Sequence, residues 1–371
     1  MGKKKDERDL LEAFDGIGGD PEVLREWDLP IDKVKKVRGV LKIRTAVGNR
    51  MLKRLTVSEE RLQFIQAVTD HLAANGFTQV PRFIRTKYGD PYVVHETGLY
   101  YLTEWFSGKE ADLKKPKNVF LAAETLARFH LAGQEFASRI EQPDTREDFG
   151  TIWGTYRAKL ESYDHNIEDR RELTVMDTSF REHREDLEKM IKHAQHQLEE
   201  SPYEEILDWA EEHKTICHGS YSRQNLIVDK DKMAVVDFDH CHYGHPVHDI
   251  GGMLTRYMPR YDWDPEVGIS ILDMYRSVRE ISAEEMTVLA AYLTFPTRTF
   301  QVVESYFERT KEWEVDRFAS RFKKALKLDS AREAFVQELI TRYGLEMAAP
   351  DFAPQIEGVE DYADIDESSS V

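Results

Sequence analysis

The segment His218-Gly219-Ser220-Tyr221-Ser222-Arg223-Gln224-Asn225 is followed, twelve residues after the asparagine, by Asp237 at the end of an Ala234-Val235-Val236 run. That spacing fits a loop between two short strands that aims an amide and a carboxylate at one cation. Mg²⁺ takes hard oxygen ligands and keeps several waters, so one ligand of each kind suffices beside bound phosphates. Phosphoryl transfer asks for little more: a lysine on the phosphates, and a carboxylate that orients the attacking hydroxyl. Lys53 lies in a strand-like run with Met51 and Leu55 on its face. In catalytic loops of this spacing the carboxylate stands two residues after the histidine. Here that position is Ser220. A serine hydroxyl has no useful basicity near neutral pH and cannot stand in for a carboxylate. Asp239 is the candidate substitute, because along a strand it would share the face of Asp237.

Each of these residues also has a plainer reading. A lysine in a strand is usually a solvated edge charge. His218 is expected to hydrogen-bond backbone and so hold its loop. A second cluster gathers Cys217, His218, His240, Cys241, His242, His245 and His248 within 32 residues. Cysteine and histidine are zinc ligands, yet this spacing matches no zinc template. Pro246 argues against His245 and His248 lying within one regular helical turn. These histidines are therefore expected on a loop surface, where some would titrate between about pH 5 and 8.

The elements that must position these residues are legible in outline. Residues 1–30 are polar, and the GIGG at Gly16 to Gly19 follows no strand pattern, so it is no dinucleotide fingerprint. The stretch 37–55 predicts two strands with a turn near Gly48-Asn49. Ser58 opens a helix whose apolar stripe is Leu62, Ile65, Val68, Thr69 and Leu72, and Asn75-Gly76 ends it. Strand-like runs follow at 80–86, 91–96 and 99–106, with a turn at Gly89-Asp90. Residues 118–133 predict an amphipathic helix. Residues 165–213 and 282–345 predict further helices, and 215–228 with 232–240 predict a β-hairpin element between them. The aromatic-rich stretch with Tyr292, Phe295, Phe300, Tyr306, Phe307 and Trp313 is core by default.

Composition narrows the function classes. A net charge of −18 opposes nonspecific binding to nucleic acid or an anionic membrane. No apolar run approaches the ~18 residues of a membrane-spanning helix, so no membrane insertion is expected. The MGKKKDERD start has no apolar segment behind it, unlike a signal peptide. Asp6 stands where a myristoylation motif wants Ser or Thr. Two cysteines suit a reducing compartment, so cytoplasmic synthesis is expected. The segment from Glu346 to the end carries eight acidic residues and no basic ones, which predicts a disordered acidic tail over 346–371.

The run HGSYSRQNLIVDKDKMAVVDFDHCHYGHPVHDIGGML resembles the H-G-D-x-x-x-x-N-x-L … (V/I)-D-(F/W/L)-(D/E) … G-x-P-x-x-D-L signature of the aminoglycoside phosphotransferase and choline kinase-like superfamily. LKRLTVSEERLQFI, GLYYLTEWFSGKEAD, ARFHLA and YLTFPTRTFQVVESYFERTKEW narrow the resemblance to the CotS family of bacterial spore-coat proteins, over roughly residues 20–325. It implies an α+β, two-lobed protein-kinase-like fold. The small β-rich N-lobe would be 1–106, the larger mainly helical C-lobe 107–345, with the nucleotide cleft between them. It further implies that Lys53 holds nucleotide phosphates with Glu59 or Glu60 as its helix partner, and that Glu104, Trp105 and Phe106 contact adenine. Asn225 and Asp237 would be the magnesium ligands, and Asp249 the buried support of the catalytic loop. With Ser220 in place of aspartate, the expectation is a spore-coat protein with a degraded catalytic site. It would be made in the mother cell, assembled into the spore coat, and partnered by other coat proteins. The alternative is an active Mg-ATP-dependent phosphotransferase acting on a hydroxylated or amino small molecule.

Overall fold

In the computed structural model, residues 2–138, 140, 149–168 and 170–348 are described. The chain opens with α1 (Gly2–Asp15), β1 (Ile31–Val37), β2 (Val40–Thr45), β3 (Gly48–Leu55), α2 (Glu59–Ala74), β4 (Val93–His95) and β5 (Gly98–Glu104). The five strands make one antiparallel sheet in the order β1-β2-β3-β5-β4. Alternation builds it: Leu41 and Ile43 of β2 are buried while Lys42 and Arg44, which alternate with them, are not. Those two side chains pack with Leu52, Tyr100 and Leu102, and with Ala13 and Phe14 of α1. Fully burying one such side chain is worth roughly 1.5–3 kcal/mol. Helix α2 starts where Ser58 accepts a hydrogen bond from the Arg61 N–H, and its Leu62, Ile65, Val68, Thr69 and Leu72 are buried.

The rest is largely helical. It comprises β6 (Lys109–Glu110), α3 (Pro116–Ala132), α4 (Phe149–Glu168), α5 (Val175–Glu199), α6 (Tyr203–Glu212) and β7 (Ile216–Cys217). There follow β8 (Leu226–Asp229), β9 (Lys232–Val235), β10 (His242–Tyr243), α7 (Pro246–Tyr257), α8 (Pro265–Arg276), α9 (Ala283–Thr294), α10 (Thr297–Phe307) and α11 (Val315–Tyr343). A β-sheet N-terminal region followed by a mostly helical remainder is the α+β construction anticipated from sequence. Strands β6, β8 and β9 form a second small sheet, and β7 pairs with β10.

Contacts divide the chain into two compact units, and the division does not fall at one point in the sequence. One holds the described chain before 147 together with Leu207–Met253 and Ile271–Glu280. The other holds 149–206, Leu254–Ser270 and the described residues from 281 on. Within this second unit, aromatic rings stack in pairs: Trp153 on Phe295 at 4.7 Å, Tyr156 on Phe300 at 4.2 Å and Tyr163 on Phe307 at 4.5 Å. Its helix α5 begins with a capping box between Thr174 and Asp177. Asp177 also pairs with Arg170 at 2.6 Å and accepts the Tyr306 hydroxyl at 2.9 Å.

Several local expectations need correction. Helix α1 occupies most of the first half of the polar start, and β1 adds a strand before the predicted hairpin. Residues 80–86 form no strand; Phe83 makes an isolated bridge to Thr103. Pro81 lacks an N–H, which disfavours a continuous ladder there. The β2–β3 turn falls at Ala46-Val47, two residues before the expected Gly48-Asn49, because Gly48 with φ 111° already begins β3. The expected tail, 346–371, lies outside the described residues from 349 on. No helix among the described residues is long and apolar enough to cross a membrane.

Candidate phosphoryl-transfer site

Lys53 is carried by β3, opposite Tyr101 of β5, and its side chain is 12% exposed. It is therefore no solvated edge charge. Asp237 and Asp239 reach it from beyond the β8–β9 hairpin, in which Leu226 pairs with Val235. Immediately after β9 the backbone leaves the extended region, and Asp237 takes φ 67°. A non-glycine residue in that region costs of order 1–3 kcal/mol and persists where its surroundings hold it. Here its ion pair with Lys53 holds it. Lys53 Nζ lies 2.5 Å from Asp237 Oδ1 and 2.7 Å from Asp239 Oδ2. The two carboxylates thus converge through a left-handed turn, and not through the strand alternation expected from their spacing.

The electrostatics follow from one cation between two anions. Burial works against the Lys53 charge, but Asp237 and Asp239 outweigh it and raise the lysine pKa. For Asp237, burial opposes ionisation, yet the lysine wins and holds the carboxyl below its ordinary value. For Asp239, burial and the neighbouring Asp237 prevail over the lysine and raise its proton affinity. Its Oδ1 is buried with no hydrogen-bond donor.

The loop from His218 to Asn225 hangs from Asp249 of α7. Asp249 accepts the His218 N–H at 2.6 Å and the Gly219 N–H at 3.0 Å, and lies 3.3 Å from His130 Nε2. Burial would raise the Asp249 pKa, but His130, His218 and these N–H bonds drive it well below the carboxylate range. His130 in turn meets the Tyr275 hydroxyl at 2.7 Å. Gly219 is required: its φ is 72°, and a Cβ would stand 2.4 Å from the His240 carbonyl oxygen. His218 behaves as the plain reading expects, with Nδ1 accepting the Ser220 N–H and Nε2 3.2 Å from the Val236 oxygen. Asn225 Nδ2 donates to the Ser220 carbonyl at 2.9 Å and reaches Ser220 Oγ at 3.5 Å. The Val236 N–H donates to the Asn225 carbonyl, which ties the two loops together.

Other predicted residues stand apart from this centre. Lys53 does not take a partner from α2. Glu59 accepts from the Tyr92 hydroxyl at 2.6 Å, and Glu60 is an exposed first-turn residue held by its own backbone and Ser58. Glu104 is exposed at the end of β5, and Trp105 and Phe106 are half-buried beyond it. Lys42 Nζ sits 4.4 Å above the Trp105 ring. Arg61 is the residue that sequence reasoning missed. Its guanidinium donates to the carbonyls of Asp239 and Cys241 at 2.7 and 2.6 Å. The signal available was its place three residues after the helix cap. The cysteine–histidine cluster is mostly not a loop surface: His240 is exposed as expected, but Cys217, His218, Cys241, His242, His245 and His248 are all buried. They sit on or beside β7, β10 and the start of α7, which pack into the interior.

A lysine on a sheet strand, an asparagine and an aspartate on adjoining loops, and a buried aspartate bracing the loop are the parts of a phosphotransferase, and residues 40–292 match the Phosphotransferase enzyme family; the chain belongs to that family. Among curated proteins it is similar to "Spore coat protein S" of Bacillus subtilis (strain 168), 22% identical over 334 residues, covering 87% of this chain and 94% of that one. Among solved structures it is similar to an aminoglycoside phosphotransferase from Alicyclobacillus acidocaldarius, with a TM-score of 0.78 and 21% identity over 88% of this chain and 96% of the other. It is also similar to an amicoumacin kinase in complex with AMP-PNP and Ca²⁺, with a TM-score of 0.57 and 15% identity over 89% and 96% of the two chains. These likenesses establish the kinase-like fold.

Proposed function

We propose that this chain is a spore-coat protein in which a phosphotransferase fold serves as a binding scaffold for coat assembly, with its catalytic site degraded. Ser220 carries the reading. The loop around it keeps its supports, Asp249, His218 and Asn225, while the position that would orient an attacking hydroxyl holds only another hydroxyl. The similarity to spore coat protein S over 87% of the chain supports the setting. The protein would be made in the cytoplasm of the mother cell and assembled into the spore coat, with other coat proteins as partners.

The donor set fits Mg-ATP. Asp237 offers a carboxylate, and Asn225, whose Nδ2 is engaged with Ser220, offers its amide oxygen; both are the hard ligands Mg²⁺ takes. Bound metal would neutralise phosphate charge. Lys53 would hold the phosphates, and Glu104 and Phe106 would border the adenine. The test is purified protein with Mg-ATP and a panel of hydroxylated and amino acceptors. No transfer above background is expected. Transfer that Asp237→Ala abolishes would overturn the scaffold reading.

A second reading, an active Mg-ATP-dependent phosphotransferase on a small molecule, is favoured by one observation. The raised proton affinity of Asp239 and its undonated Oδ1 suit a general base. On this reading Asp239→Asn lowers the transfer rate by at least ~10²-fold.

A further inference from the structure

Behind the catalytic loop, β7 and β10 pair so that Cys217 stands opposite His242. His248, near the start of α7, joins them. The ligand atoms these three residues offer all lie within 4.8 Å of one another, and all three residues are buried.

The chemistry of His242 is fixed by its surroundings. Its Nδ1 lies 2.9 Å from the His240 carbonyl, which can only accept, so Nδ1 carries the proton. Its Nε2 therefore presents a lone pair. That nitrogen is buried, in a residue only 7% exposed, and has no hydrogen-bond partner. A buried acceptor without a donor costs free energy unless something else occupies the lone pair. The ring faces the thiol: a Cβ built at Gly244 would lie 3.2 Å from His242 Nε2 and 3.3 Å from Cys217 Sγ at once. A histidine whose far nitrogen donates to a backbone carbonyl is the arrangement found behind metal-ligating imidazoles.

We propose that Cys217, His242 and His248 form a structural site for one Zn²⁺ ion, distinct from the Asn225–Asp237 pair. Zinc with Zn–N bonds of about 2.0–2.1 Å and Zn–S of about 2.3 Å sets such ligands about 3.3–3.6 Å apart, so three groups already within 4.8 Å of one another close in by at most about 1.5 Å. The fourth position falls to a water or a peptide carbonyl. The Cys217 thiol now donates to the His245 carbonyl at 3.1 Å. On binding, that S–H bond breaks, a sulfur–zinc bond forms, and one proton is released to solvent. The ion would join β7, β10 and α7, the three elements from which the His218–Ser220 loop and Asp249 depart.

The test uses the untagged, full-length protein, stripped with chelator and then given one equivalent of Zn²⁺ or Co²⁺. The expected result is one metal retained per chain through gel filtration, release of about one proton, and a rise in thermal midpoint. The Co²⁺ form should show a thiolate-to-metal charge-transfer band. Cys217→Ser and, separately, His242→Gln should each lose at least tenfold in affinity, and Cys217→Ser should lose the band. Wild-type protein that retains no metal, or shows no thiolate band, overturns the proposal. So does Cys217→Ser that binds zinc as tightly as wild type. Should both variants fail to fold, the wild-type spectrum and stoichiometry alone decide it.

Discussion

Lys53 Nζ sits 2.7 Å from Asp239 Oδ2, so the lysine of β3 takes its second anion from the segment after β9 and not from α2. A nucleotide phosphate approaching this lysine must displace two carboxylates that already neutralise it. The lysine is nearly buried, so the competition is only weakly screened by solvent.

Removing one competitor should therefore help nucleotide. Asp239→Asn is expected to tighten Mg-ATP binding by up to about tenfold, a difference of ~1.4 kcal/mol. Titration calorimetry of the two proteins measures it. Asp237→Asn should do the opposite and remove the Mg²⁺ dependence, since it deletes the carboxylate proposed to hold the metal. Equal affinity in wild type and Asp239→Asn would show that the second carboxylate does not compete.

Restoring a base should restore chemistry. Ser220→Asp places a carboxylate on a loop whose supports are already in place. ATP turnover with a productive acceptor, or slow hydrolysis without one, is expected to rise by about 10²–10⁴-fold over the parent. Measuring released ADP with coupled detection checks this. A variant that binds Mg-ATP yet shows no gain would mean that the loop has lost more than its carboxylate.

Asp249 should be among the costliest single positions. Asp249→Ala strands two backbone N–H groups and a buried histidine, which amounts to about 3–5 kcal/mol. Urea unfolding compares it with wild type. A loss under ~1 kcal/mol would show that the loop has other supports.

The second unit carries its own acid sensitivity. Burial alone would raise the Asp177 pKa, but Thr174, Tyr306 and Arg170 more than offset it and hold it below the ordinary value of 3.8. A lowered folded pKa contributes stability that is complete above the unfolded carboxyl value and is lost as pH falls through the folded one. Asp177→Asn should therefore cost about 2–4 kcal/mol at pH 7 and progressively less as pH drops below ~4. Chemical denaturation at pH 7 and pH 3 gives the two gaps, and equal gaps would contradict the assignment.

The sequence is most readable where one local rule acts alone. The Ser58 cap with its apolar stripe marked α2, and the run 118–133 marked α3, because helix period and capping need no knowledge of the rest. The Lys53, Asn225 and Asp237 spacing was equally visible. What could not be read is what distant segments do to one another. Helix α1 becomes a helix with a buried face because Ala13 and Phe14 meet Leu41 and Leu52. Asp239 reaches Lys53 only because Asp237 adopts φ 67°, which no alternation rule contains. The histidines after β9 carry no apolar signal, so nothing in their order announces that His242 and His248 are interior.

Arg61 has a mechanical consequence. Its guanidinium grips the carbonyls of Asp239 and Cys241 from the first turn of α2. Any sliding or rotation of that helix must drag the 237–241 segment with it, and with it the carboxylates that clasp Lys53. Helix, segment and lysine strand are thus linked in series, like a latch and its bolt. A ligand that nudged α2 would be felt at the lysine without touching it.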